Sequence, residues 1–320
     1  MVHKRRDFLI TFTILCLAMC ACSGFQYLGS AFYGLVWHRI HGLGSGGARL
    51  LSGLFDSPWT GVLVQYIFSI GVPFLLVVPM TCFVRSDRRP AHTLPAEVWM
   101  SALFMCLGLG YIFNFLGVFL DVFFSIFTGV PATDMNPVMD ALDELTPGMV
   151  IYTCLIAPFM EEFIFRGVLL KKARRFGDRT AVVFCAVMFG LMHGNLNQCL
   201  YAVVIGLILG YVAVRTNRIF YNVLLHMAVN SFSMMLVLVE NGLNALGIGA
   251  MAAAFSVGSF IMILLLIAAG IYFFRDGRRY WWQMGRQNGW PTPYRRYVYL
   301  NPGFILYMII FGIEMISYIL

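Results

Sequence analysis

The chain has 320 residues, of which 12% are charged and 60% hydrophobic, and its mean hydropathy is +0.80. A soluble domain carries about a quarter charged residues, so no soluble core accounts for this composition and the bilayer is the solvent for most of the chain. The net charge of +7 is spread over the ends of apolar runs rather than gathered on a polar face, which removes nucleic acid from the candidate partners.

About 20 apolar residues in a helix cross a hydrocarbon core of about 30 Å. Nine runs approach that length: Phe8 to Ser30, Trp59 to Val84, Val98 to Thr128, Gly148 to Leu170, Thr180 to His193, Leu200 to Val214, Ile219 to Val239, Ala250 to Phe274 and Gly303 to Leu320. The expected fold is an all-α polytopic membrane bundle of eight or nine transmembrane helices. Its expected parts are N-terminal helices over 1–147, a central core over 148–239, and C-terminal helices over 240–320. The first run starts like a signal peptide, with Lys4, Arg5 and Arg6 before it, but is read as a retained span. Gly42 to Gly53 is glycine-rich and reads as a flexible connector. The fifth and sixth runs are short and are divided by the polar stretch Gly194-Asn195-Leu196-Asn197-Gln198. Polar backbone at that depth must be enclosed by protein or line a watery cavity. Tyr280 to Tyr297 is aromatic and basic, as expected of a segment lying at the headgroups.

Placing the N-terminus in the cytoplasm puts the loops 85–97, 171–179, 215–218 and 275–302 on the same side. Of the 22 lysines and arginines, only Arg39, Arg49 and Arg166 then fall outside these segments and the N-terminus. The opposite loop, 131–147, carries Asp134, Asp140, Asp143 and Glu144 and no basic residue. The positive-inside rule selects this orientation, and the plasma membrane is the expected location.

The eight cysteines lie within apolar runs, without the spacing of a disulfide framework or a zinc site, and read as packing residues. Gly206 and Gly210 form a small-residue stripe for close helix packing. Asn114, Asp121, Glu240 and Glu314 show no matching partners in the sequence. His38 and His41 lie near the outer surface without a third ligand.

Three runs hold groups that hydropathy alone forbids: Glu161, Glu162 and Arg166 in the fourth, His193 at the end of the fifth, and His226 and Asn230 in the seventh. A charge inside a spanning helix costs at least about 2.5 kcal/mol on insertion scales. Three such places in neighbouring spans therefore suggest one polar centre. Glu162 and Arg166 are four residues apart and meet on one helix face. Glu161 is turned about 100° from Glu162 and is the carboxylate free to face a cavity. With His193 it can activate a water and later protonate a leaving amine. His226 and Asn230, again four apart, can aim two donors at the oxyanion of a tetrahedral intermediate. A lone membrane histidine or asparagine is more often interhelical glue; it is the combination that points to catalysis.

The order Glu-Glu-x-x-x-Arg, Phe-x-x-x-His and His-x-x-x-Asn over Gly148 to Val239 resembles the CPBP family, which includes CAAX prenyl endopeptidases and bacteriocin-processing or immunity-type membrane proteins. The resemblance implies a helical membrane protease with a water-filled cavity, Glu161 as base, His193 on the same water, and His226 with Asn230 at the oxyanion. It implies a membrane protein or peptide substrate, prenylated proteins being the family's best-known targets. Zinc held by Glu161, His193 and His226, as in a metalloprotease, is the alternative to a metal-free, cofactor-free mechanism. The rival functions are a non-catalytic self-immunity or scaffold protein that keeps the motifs as glue, and a small transporter. The transporter calls for repeated halves that the sequence does not display.

Overall fold

The structure, a computed structural model, describes residues 2–42, 46–138, 145–284 and 296–320. The described residues form helices, with no strand among them. In chain order these are α1 (Val2–Gly42), α2 (Gly46–Asp56), α3 (Gly61–Met80), α4 (Ala96–Thr128), α5 (Pro147–Phe176), α6 (Asp178–Leu191), α7 (Leu196–Thr216), α8 (Ile219–Ala245), α9 (Gly249–Met284) and α10 (Pro302–Ile319). Eight of them are long and apolar enough to cross a membrane, and the chain is an all-α integral membrane protein.

The fifth expected span, Thr180 to His193, is the difference. It is helical, but the 14 residues of α6 reach only about 21 Å at 1.5 Å per residue. Protein rather than lipid surrounds this short rod: Ala181, Val182, Phe184, Ala186 and Met188 are all fully buried. The stripe of Gly206 and Gly210 on α7 lies against it. A Cβ at Gly206 would stand 3.1 Å from the Cα of Ala186, and one at Gly210 would stand 2.7 Å from Val182.

The glycine-rich connector also departs from expectation. Residues 43–45 lie outside the described residues, but Gly46–Asp56 is helical. Leu51, Leu54 and Phe55 recur at helical spacing, Phe55 stacks on Tyr33 of α1, and Asp56 pairs with His41 at 2.8 Å. Such tertiary contacts override the weak helix propensity of glycine. Asp140, Asp143, Glu144 and most of the aromatic segment Tyr280 to Tyr297 lie outside the described residues; the helical backbone of α9 runs on to Met284.

Two apolar clusters hold the bundle. Phe8, Phe12 and Leu15 of α1 join Phe165 of α5, Phe184 and Phe189 of α6, and Phe304 and Tyr307 of α10. Cys106 of α4 joins Ile205, Leu209 and Val212 of α7 and Leu225 and Val229 of α8. The first run is thus a packed part of the bundle. Because lipid is as apolar as these side chains, close packing holds the helices together more than hydrophobic burial does.

The described parts of the basic segments meet at one end of the bundle. Asp87 N–H donates to the carbonyl of Lys171 and His92 N–H to that of Thr216. Arg89 and Arg174 share Asp178, Arg175 pairs with Asp7, and Arg5 lies over the ring of Tyr297. All eight cysteines are free.

Two residues read as partnerless are not. Asn114 Nδ2 donates to Asn197 Oδ1 at 3.1 Å, and Glu240 Oε1 accepts from Ser256 at 2.9 Å. These partners sit on other helices, so spacing along one helix cannot show them.

Candidate active site

The middle of α5 is not a plain α-helix. Two π-helical segments, Tyr152–Ile156 and Phe163–Leu170, flank the short α-helical piece Ala157–Glu162 that carries both glutamates. The first has a cause in the sequence. Pro158 has no N–H to donate, and its ring crowds the preceding turn. Ala157 N–H therefore reaches back to the carbonyl of Tyr152, and the carbonyl of Thr153, whose π-type partner would be Pro158, is left without a donor in its own helix. Asn230 of α8 supplies one, its Nδ2 lying 3.0 Å from Thr153 O.

The two adjacent carboxylates have different surroundings. Glu162 is fully buried, and its Oε1 accepts from Arg166 Nη1 at 2.7 Å. The same oxygen lies 3.0 Å from His226 Nδ1. Since an ionised carboxylate only accepts, Nδ1 is the donor, and the other ring nitrogen, Nε2, faces Glu161. That nitrogen is 3.7 Å from Glu161 Oε2, and the Glu161 side chain is 17% exposed. Arg166 is 1% exposed; its Nη2 donates to the carbonyl of Gly206 at 3.2 Å, and its guanidinium stacks 4.7 Å from the ring centre of Phe189. The guanidinium thus joins α5, α6 and α7. Glu162 Oε2 and Arg166 Nε are buried without a hydrogen-bond partner.

His193 follows the last turn of α6. Its Nδ1 lies 2.8 Å from the carbonyl of Phe189 and so donates to it, leaving Nε2 as the nitrogen with a free lone pair. Gly194 follows with φ of +68°, a conformation that costs a side-chain-bearing residue about 1–2 kcal/mol. A Cβ there would also stand 2.5 Å from the Glu314 carboxyl carbon, so that side chain would have to move aside. Asn195 then caps α7, its Oδ1 accepting from Gln198 N–H at 2.9 Å. Phe189 ties the site together: the rings of His193 and His226 both meet it edge-on, at 5.1 Å and 5.8 Å.

All six residues singled out in the sequence therefore belong to one neighbourhood. Glu161 and His226 face each other, Glu162 joins Arg166 to His226, His193 reaches the group through Phe189, and Asn230 is tied to the bent backbone of α5. Sequence reasoning placed Glu162 with Arg166 but missed its bond to His226, and it did not anticipate the Asn230 bond to Thr153. It read Asn195 and Gln198 only as members of a polar stretch, and it passed over Tyr201. The Asn-x-x-Gln spacing of a helix N-terminus is the signal that would have found the first two.

Among the described residues, no three or more His, Cys, Asp or Glu gather closely enough to hold a metal ion. His193 Nδ1 and His226 Nδ1 are committed to Phe189 and Glu162, which leaves the Nε2 of each ring uncommitted.

Residues 143–232 match the family described as Type II CAAX prenyl endopeptidase Rce1-like. Over 155 residues the chain is 25% identical to "Putative membrane peptidase YdiL" of Bacillus subtilis (strain 168), a stretch that covers 44% of this chain and 62% of that relative. The chain thus spans less than two thirds of the length of the relative it matches. No solved structure matches. The matched residues include Glu161, Glu162, Arg166, His193, His226 and Asn230.

Proposed function

We propose that the protein is a membrane-embedded endopeptidase that hydrolyses a peptide bond in a membrane-associated protein or peptide. The observation that carries this reading is the unequal partnering of two neighbouring carboxylates. Glu162 is spent on Arg166 and His226, whereas Glu161 keeps its oxygens for a reacting molecule while still facing a histidine. A purely structural pair would gain nothing from leaving one carboxylate so lightly engaged in an apolar setting. The family match and the name of the bacterial relative support peptide hydrolysis as the chemistry.

In this mechanism Glu161 takes a proton from a water, whose oxygen adds to the scissile carbonyl carbon. His193 Nε2 holds the same water. The carbonyl π electrons move to oxygen, and donors beside it stabilise the oxyanion. Asn230 has a second amide hydrogen beyond the one given to Thr153, and His226 Nε2 donates when its ring is charged. Collapse re-forms the carbonyl, breaks the C–N bond, and Glu161 returns its proton to the departing amine. The two π segments and the Glu162–Arg166 pair keep these groups in place.

The test is peptide cleavage by purified protein. Glu161→Gln keeps volume but cannot take the proton, and its activity falls below detection while the protein stays folded. Asn230→Ala retains activity reduced by about 10²- to 10³-fold, as for loss of one oxyanion donor. A strong chelator leaves wild-type activity unchanged. Wild-type activity in Glu161→Gln would overturn the reading and favour the self-immunity or scaffold role; chelator-sensitive, zinc-restored activity would recast His193 and His226 as ligands.

A further inference from the structure

We propose that Tyr201 is a further catalytic residue, its hydroxyl donating a hydrogen bond to the oxyanion that forms when water adds to the scissile carbonyl. The inference rests on the endopeptidase reading above and adds a residue that neither the motifs nor the matches single out.

The argument starts at one backbone N–H. Gln198 N–H, at the start of α7, donates to Asn195 Oδ1 at 2.9 Å. This fixes the Asn195 amide, so its Nδ2 points away and donates to the carbonyl of His193 at 3.0 Å and to Gln198 Oε1 at 2.6 Å. With its oxygen occupied, Gln198 can present only its Nε2 to Tyr201, and it does so at 3.2 Å from the hydroxyl oxygen. Each link sets the direction of the next. The Tyr201 oxygen therefore accepts, and its proton is left to be given elsewhere.

Three observations connect that proton to the reaction centre. The hydroxyl lies within electrostatic reach of the Glu161 carboxylate. Its ring packs against both apolar clusters, which holds it between the two halves of the bundle. The chain that orients it begins at the His193 carbonyl, so a single polar turn positions both His193 and Tyr201. The chemistry also has room for this donor. One amide hydrogen of Asn230 is used on Thr153, and His226 Nε2 can donate only from a charged ring. A phenolic O–H donates from a neutral group, without a charge to be housed in the membrane. Asn195 and Gln198 are positioning residues in this scheme. The step is balanced as above: Glu161 carries the proton from the water to the leaving amine, and Tyr201 only shares its own.

The experiment compares purified wild type, Tyr201→Phe, Gln198→Leu and Glu161→Gln in one peptide-cleavage assay. Affinity is also measured for the substrate peptide and for a peptide whose scissile amide is replaced by a phosphonate, an anionic tetrahedral mimic. Tyr201→Phe keeps the packed ring, and its kcat is expected to fall about 10²-fold while KM stays within about threefold of wild type. Phosphonate affinity falls in parallel and peptide affinity does not. Gln198→Leu, which leaves the hydroxyl unheld, shows the same pattern with a smaller loss. A Tyr201→Phe enzyme with kcat within about threefold of wild type, or one that loses both affinities equally, overturns the proposal. Should Tyr201→Phe not fold, the same criteria applied to Gln198→Leu decide. Failure of the underlying reading is distinct, since it appears as wild-type cleavage by Glu161→Gln.

Discussion

Helices α7 and α9 are both long and apolar enough to cross a membrane, but they meet different surroundings. Of the most apolar membrane-length stretch of α7, 56% is buried inside the protein; of that of α9, 6%. The buried helix touches Arg166 through Gly206 and carries Asn197 and Gln198. The outward-facing stretch from Gly249 to Phe274 contains no charged residue at all. Polar chemistry inside a membrane thus survives where protein replaces lipid as the solvent. The lipid-facing helix follows hydropathy alone.

Four substitutions break or sharpen that contrast. Arg166→Met is expected to be the largest, because it leaves Glu162 as an uncompensated buried charge; loss of one partner of such a pair costs about 3–5 kcal/mol. Denaturation of the purified protein in detergent checks this. An unchanged midpoint would mean that Glu162 is not ionised against Arg166. On the other helix, Leu265 is 67% exposed, and Leu265→Arg is expected to oppose insertion by about 2.5–3.5 kcal/mol. A glycosylation-based insertion assay measures it, and normal insertion would show that α9 does not face lipid there.

Gly206→Val comes next. The added side chain meets Ala186 and Phe189 at 3.1–3.3 Å, and overpacking of this kind costs about 1–3 kcal/mol. It also displaces the carbonyl that receives Arg166, so activity should fall further than stability. Equal stability of Gly206→Val and wild type would show that α6 and α7 are less closely packed than they stand here. Smallest is Leu265→Ala, expected within about 0.5 kcal/mol of wild type. A larger loss would point to a protein partner covering α9.

Part of the site was legible because it lies within one helix turn. The Glu162–Arg166 pair follows from a spacing of four residues, and the outward turn of Glu161 follows from helical geometry. The His226 bond to Glu162 joins residues 64 positions apart, and nothing in either local stretch specifies it. The Asn230 bond to Thr153 depends on a π-helical segment that Pro158 induces, so a reading in ideal α-helices could not foresee it. Asn114 looked unpartnered for the same reason, since its partner Asn197 arrives from another helix.

What the sequence determined by itself was the solvent, the fold class and the place of the buried polar groups. Runs of apolar residues require a bilayer, and a bilayer requires helices that satisfy their own backbone. Ionisable groups inside such runs then mark the polar centre. Tertiary structure alone decided which partner each group received. It made α6 a short enclosed rod instead of a ninth span, committed Glu162 to both Arg166 and His226, and left Glu161 open. The physical reason is that hydropathy and periodicity are sums over neighbours in the chain, whereas hydrogen bonds and close packing are made between neighbours in space.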